Sequence, residues 1–393
     1  MLYLGGAVGV GPSVPYSLPP LLFALAVLAL ENTQPSECRK HADLAVIMAV
    51  LLYSWVTCVI LLATDARSVS EEYYHNFLVT HLSFGGALLV AGMKFPNATA
   101  ALETRWGSRF VLAGAAAFGM AVLLAAWGNP NRGLLPWYLA GLGRPGAESG
   151  LGFDYLFVSD YGAIAALLVL SQVRRFGSRL LVTAAASAVL FWTSSRTALV
   201  GFGVVSLGIL FVHWARLQAW VRVLAFLGVL LAGTELVVRV APTVSQFSTD
   251  VTLARFDFSD IASDVSVVGR AELFTEGEAR LKKVWLLGHF MDEALDGREG
   301  QYIHNWLAFW EEYGLGPFAL FVVLYAAALI RITRAYARER WRGDLEFMFG
   351  LSWFVALSIA FSRSYGSQYV WLVLTGVPAV LTANRQAAAR EGS

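Results

Sequence analysis

The chain has 393 residues, 57% of them hydrophobic and 15% charged, with a formal net charge of +1 and a mean hydropathy of +0.59. Soluble domains carry about 25% charged residues, and no single aqueous core hides this much apolar surface, so an ordinary soluble fold is excluded. The near-zero net charge gives no ground for a nucleic-acid partner, and the two cysteines, Cys38 and Cys58, make no disulfide framework.

A bilayer takes about 20 apolar residues per helical span, and runs of that kind follow one another along the chain. The first thirty residues are apolar but interrupted by Pro12, Pro15, Pro19 and Pro20, which predicts one kinked span or two short half-spans. No basic stretch precedes them, so they do not read as a cleaved signal peptide. Apolar runs then cover 42–63, 77–93, 110–127, 153–170, 180–192, 198–212, 223–240, 307–330, 345–361 and 369–381. The shorter ones are expected to extend into their flanks. The pattern predicts an all-α, polytopic integral membrane protein of roughly 11–12 transmembrane helices. It reads as a single integral domain over 1–393, with one long, partly helical loop at 241–303.

Lysine and arginine gather in cytoplasmic loops. One alternating set of loops holds 17 of them, including Arg39 and Lys40, Arg174, Arg175 and Arg179, and the run from Arg331 to Arg342. The other short loops hold 5: Arg67, Arg132, Arg144, Arg196 and Arg363. This bias predicts a cytoplasmic C-terminus and puts 241–303 outside the cytoplasm, with 11 acidic and 6 basic side chains. Within that loop, GRAELFTEGEARLKKVW spaces Leu273, Phe274, Leu281, Val284 and Trp285 as an amphipathic helix does, lying on the membrane surface or the bundle of spans.

Ionisable groups near membrane depth are costly and tend to line cavities or serve a function. Arg196 sits in the short turn of FWTSSRTALVGF, Arg270 in VVGRAELF, and His304 and Asn305 in QYIHNWLAFWEEYGLG. Asp160 and Tyr161 in FVSDYGAI and Arg363 in SRSYGS also fall near the outer face. Each has an ordinary reading: an interfacial arginine reaching for water, an exposed loop residue, a structural histidine, a local aspartate pair. Glu311 and Glu312 follow His304 at what reads as a helix start, where carboxylates complement the helix dipole. Taken together, guanidinium groups that grip phosphates and a histidine able to accept a proton suit transfer from a lipid diphosphate. The many tryptophans and tyrosines suit sugar faces or the membrane interface. No Walker A loop, no HExxH and no zinc-spaced Cys/His cluster occurs in the sequence.

Three stretches, SSRTALVGFGVVSL, GRAELFTEGEARLKKVWLLGHF and YIHNWLAFWEEYGLGPF, in that order, resemble the O-antigen ligase and polymerase superfamily of bacterial inner-membrane glycosyltransferases. The likeness covers roughly residues 150 to 330 by motif and the remainder only by its pattern of spans. It implies a GT-C-like fold with a large periplasmic loop and an active site facing the periplasm. The implied reaction moves a glycan from undecaprenyl diphosphate to an acceptor hydroxyl with inversion at the anomeric centre. By the same resemblance Arg196 and Arg270 bind the departing diphosphate, and His304 acts on the acceptor. Asn305, Asp160, Tyr161 and Arg363 are candidate substrate-binding residues. With arginines in place of a metal, neither a divalent ion nor a cofactor is expected. His304 to Gly314 is a residue shorter than the family's usual spacing, which leaves the register of Glu311 and Glu312 open.

An O-antigen or exopolysaccharide polymerase, adding one lipid-linked glycan to another, is the favoured activity. The alternative is a ligase that delivers the glycan to lipid A core. Expected partners are the undecaprenyl-diphosphate-linked donor, the glycan or lipid A core acceptor, membrane lipids and a chain-length regulator. From another class, a transporter of lipid-linked glycan or solute would line its path with the same residues; transporters often repeat a broken-helix half, and no such repeat appears.

Overall fold

The computed structural model describes residues 85–96, 104–128, 155–193, 195–214, 265–286, 288, 303, 305–339, 342–361 and 369–391. Among them every regular element is a helix and no strand occurs, as a chain rich in long apolar runs requires if its backbone is to be satisfied in lipid. In chain order the helices are α1 (Gly85–Met93), α2 (Arg105–Gly128), α3 (Tyr155–Gln172), α4 (Phe176–Trp192) and α5 (Arg196–Trp214). Then come α6 (Val265–Val284), α7 (Leu307–Tyr313), α8 (Leu315–Arg338), α9 (Gly343–Phe361) and α10 (Tyr369–Glu391).

Among the described residues, four helices are long and apolar enough to cross a membrane: Trp106–Leu124 of α2, Arg196–His213 of α5, α8 and α9. They differ in surroundings. The apolar window of α9 is 72% buried, that of α2 only 6%, so α2 presents Trp106, Phe110, Met120 and Leu124 outward. On α5, Val200, Val204, Leu207 and Phe211 form an exposed stripe at helical spacing, while Phe202, Val205 and Ile209 behind it are buried. In water such apolar faces would be an aggregation liability; hydrocarbon is the solvent they fit.

The expected runs at 110–127, 180–192, 198–212, 345–361 and 369–381 fall within helices that reach into their polar flanks, α2 beginning at Arg105 and α10 running on to Glu391, and the described part of the run 153–170 lies in α3. One expectation is corrected. The run 307–330 is not a single span, because it breaks into α7 and α8 at Gly314, whose φ of +82° lies in the region open to glycine. Pro317 then sits in the first turn of α8, where its missing N–H costs nothing. The N-terminal thirty residues, the runs 42–63 and 223–240, Cys38 and Cys58, and most of the loop 241–303 lie outside the described residues.

The chain divides into two compact units, and the division falls within α9. One unit comprises Ala100–Ile261 and Glu339–Phe354. In it α3 packs against α2, α4 and α5, and Gly350 of α9 lets Leu167, Val205 and Ile209 close in. A buried ionic cluster joins three of these helices. Glu346, near the start of α9, holds Arg179 Nη1 at 2.5 Å with one oxygen and His213 Nε2 at 2.9 Å with the other. Arg179, counted above among cytoplasmic loop cations, is therefore a buried residue of α4 with 3% of its side chain exposed.

The other unit comprises Met1–Thr99, Ala262–Arg338 and Val355–Ser393. In it α1 packs against α10, where Gly92 meets the backbone of Leu372 and Gly376. The Thr375 hydroxyl lies 3.0 Å from the Leu89 carbonyl across the crossing. Small residues and an interhelical hydroxyl are how helices associate where no hydrophobic effect drives them together.

Candidate functional site

Arg196 is placed by two caps. Thr193 closes α4 with its hydroxyl donating to the Leu190 carbonyl at 2.7 Å. Ser195 opens α5: its hydroxyl oxygen accepts the Ala198 N–H at 3.4 Å and its carbonyl accepts Leu199 N–H at 3.1 Å. Both are fully buried, so the turn is tight, as the sequence predicts. Arg196 is thereby fixed as the first residue of the 19-residue α5. A cation at the positive end of a helix dipole is electrostatically disfavoured; it adds its charge to that of the first-turn N–H groups, an arrangement suited to an anion.

Asp160 and Tyr161 occupy the second turn of α3, in the same unit as Arg196. Asp160 is 5% exposed and too far into the helix to cap it, while Tyr161 is 44% exposed.

Arg270 and Asn305 belong to the other unit. Arg270 lies on the exposed side of α6 and donates through Nη1 to the carbonyl of Phe361 at 3.4 Å. Phe361 ends α9, so the guanidinium meets the negative end of that helix, a stabilising contact that accounts for part of its placement. Asn305 builds the turn into α7. Its N–H donates to the Ile303 carbonyl at 2.8 Å and its side-chain oxygen accepts Leu307 N–H at 2.8 Å. His304 and Arg363 lie outside the described residues.

The expected amphipathic helix in the long loop is α6, but its buried side differs from the apolar pattern. Leu281 is buried, whereas Phe274 and Trp285 are largely exposed. Gly277 is in direct contact with the side chain of Ile303, with no room for a Cβ. Beyond α6, the Trp285 carbonyl accepts the indole N–H of Trp310 at 2.6 Å and the Leu315 N–H at 3.1 Å. Gly288, with φ +69°, packs against the backbone of Glu312, Tyr313 and Gly314. The aromatic residues of α7 pack on α8: Phe309 stacks on Phe321 at 4.5 Å and Trp310 on Phe318 at 5.4 Å. Trp306 lies 5.6 Å from both Phe321 and Tyr325. Such pairs add about 0.5–1.5 kcal/mol each beyond their burial, and this packing accounts for three of the aromatics that the sequence offers as sugar platforms or interfacial anchors.

Glu311 and Glu312 are not at a helix start. They occupy the last turn of α7 and are buried, so the dipole does not explain them. Glu311 instead pairs with Arg280 of α6, Nε to Oε1 at 2.5 Å, and its other oxygen accepts the Ile303 N–H at 3.4 Å. Arg280 escaped the sequence reading, although a signal was present: it falls on the same helical face as Leu273, Gly277, Leu281 and Val284.

The tightness at Gly277 gives a direct prediction. Gly277→Val forces α6 away from Ile303 and destabilises the protein by about 1–3 kcal/mol. Thermal melting in detergent should show a lower Tm; an unchanged Tm would contradict the packing described.

No protein-family model matches this chain, and no curated protein matches it.

Proposed function

We propose that the chain is a membrane glycosyltransferase of the O-antigen polymerase type, an all-helical protein of about a dozen spans in the bacterial inner membrane, C-terminus in the cytoplasm, working at its periplasmic face. Three motif stretches support the family reading. The observation that carries it is the placement of Arg196, a partly buried arginine at the N-terminus of a long helix capped by Ser195. An anion is the partner such a position calls for.

The chemistry follows from the charges. As the glycosidic bond of an undecaprenyl-diphosphate-linked glycan breaks, negative charge grows on the diphosphate oxygen that leaves with the lipid. A guanidinium held in place stabilises that charge in the transition state without reorganising. Arg196 takes this role, and Arg270 shares it by resemblance. The acceptor hydroxyl attacks the anomeric carbon from the opposite face, its proton passing to His304, and the configuration inverts. Undecaprenyl diphosphate is released as the second product.

The test is product formation by the purified protein from undecaprenyl-diphosphate-linked glycan, with and without lipid A core. A ladder of longer lipid-linked glycans in the absence of core marks a polymerase. Transfer only when core is present marks the ligase, with the same donor chemistry and a different acceptor.

A further inference from the structure

We infer that Arg280 and Glu311 form a positioning pair that holds Ile303 and α7 in a fixed register with the helix carrying Arg270, Ile303 and Asn305 being the chain neighbours of the proposed base His304. This inference rests on the transferase reading above and names two residues beyond it.

The geometry is a clamp with three points. Arg280 projects from the buried side of α6, with 12% of its side chain exposed, and its Nε meets Glu311 Oε1 at 2.5 Å. Glu311 has only 4% of its side chain exposed in that pair. Through Oε2 it accepts the backbone N–H of Ile303, eight residues earlier in the chain. One carboxylate thus links Ile303 to α7 and ties both to α6. The neighbours of His304 in sequence are both engaged: Ile303 by Glu311 and by the close approach of Gly277, Asn305 by its bonds to Ile303 and Leu307.

A buried carboxylate would be costly without a cation and hydrogen bonds around it, and Arg280 supplies a charge-assisted bond whose direction is set by a planar group. Arg280 also approaches Glu276 one turn earlier at 3.8 Å, a longer and more exposed contact. Arg270 and Arg280 share one helix and are separated by about 15 Å along its axis. Moving the Glu311 carboxylate therefore shifts Ile303 and α7 relative to the arginine-bearing helix. Displacements near 1 Å at a reacting centre cost on the order of 100-fold in rate.

The test compares wild type, Glu311→Ala, Arg280→Ala and the exchanged double variant Arg280→Glu with Glu311→Arg. Each is purified in detergent and assayed with undecaprenyl-diphosphate-linked glycan, kcat and KM being determined separately. Amide hydrogen exchange is followed over 303–313 in the same samples. The expected result for each single variant is a fall in kcat of about 10- to 100-fold, little change in donor KM and faster exchange in 303–313. The exchanged variant should recover part of both. Single variants with wild-type kcat in an active wild-type background overturn the pair's role and leave the transferase reading standing. A fall in the amount of folded protein with unchanged kcat in what remains also overturns it, because that is the mark of a purely structural bridge. A wild type that makes no glycosidic bond removes the transferase reading, and the positioning role with it.

Discussion

Replacing Arg196 with alanine is expected to lower kcat by about 100- to 1,000-fold while the protein still inserts and folds. That is the range seen when a fixed donor to developing negative charge is removed from an active site. The fold itself should tolerate the change. Ser195, not Arg196, caps α5, and Thr193, not Arg196, closes α4, so the turn keeps its hydrogen bonds when the guanidinium is lost. Removing a cation from the positive end of a helix dipole relieves a repulsion of a few tenths of a kcal/mol. Arg196→Lys is expected to recover only part of the activity, because an ammonium keeps the charge but not the planar fork that holds two phosphate oxygens at once. The readout is turnover of lipid-linked glycan by purified variants with matched melting profiles. Near wild-type kcat in Arg196→Ala would take this residue out of the mechanism.

Glu346→Ala is expected to destabilise the protein by about 3–5 kcal/mol, the cost of leaving a buried partner unneutralised. Glu346 is the only carboxylate paired with Arg179 among the described residues, and its second oxygen engages His213, so one substitution strips two helices of their tie to α9. A guanidinium keeps its charge in proteins, and removing Glu346 leaves that of Arg179 without its carboxylate. The strain therefore falls mainly on Arg179. The paired substitution Arg179→Met with Glu346→Leu should be much closer to wild type, since apolar side chains of similar volume replace a buried ion pair at little net cost. Melting of the three variants in detergent separates these outcomes. A Glu346→Ala protein as stable as wild type would mean that the cluster does not hold the helices together.

Much of the helical framework could be read before the structure was known, and the parts that could not have physical reasons. Apolar runs reveal helices because a span must be apolar for its whole length, whatever it packs against. The turn before Arg196 was legible for a similar reason, being local: caps, turn and helix all lie within FWTSSRTALVGF. The division of 307–330 into α7 and α8 had its signal in Gly314 and Pro317, but continuous hydrophobicity outweighs a helix break in any reading by runs alone. The buried ionic groups were least accessible. Arg179 and Glu346 are 167 residues apart, His213 and Glu346 are 133 apart, and Arg280 and Glu311 are 31 apart. No periodicity links such pairs, so Arg179 read as a loop cation and Glu311 as a helix-dipole carboxylate. Among the candidate site residues, Arg196 opens α5 directly after the turn. Arg270 acquired a helix-end contact and Asn305 a turn, each a structural duty that the motif alone does not reveal.

The most direct measurement uses proteoliposomes holding the purified protein and its lipid-linked glycan donor, with acceptor outside. Free undecaprenyl diphosphate and new glycosidic bonds are counted in the same vesicles, alongside movement of intact donor between leaflets. The transferase reading predicts one undecaprenyl diphosphate released for each bond formed, with both lost together in Arg196→Ala. Donor crossing the bilayer intact, with no diphosphate released and no bond made, would contradict it and identify a transporter.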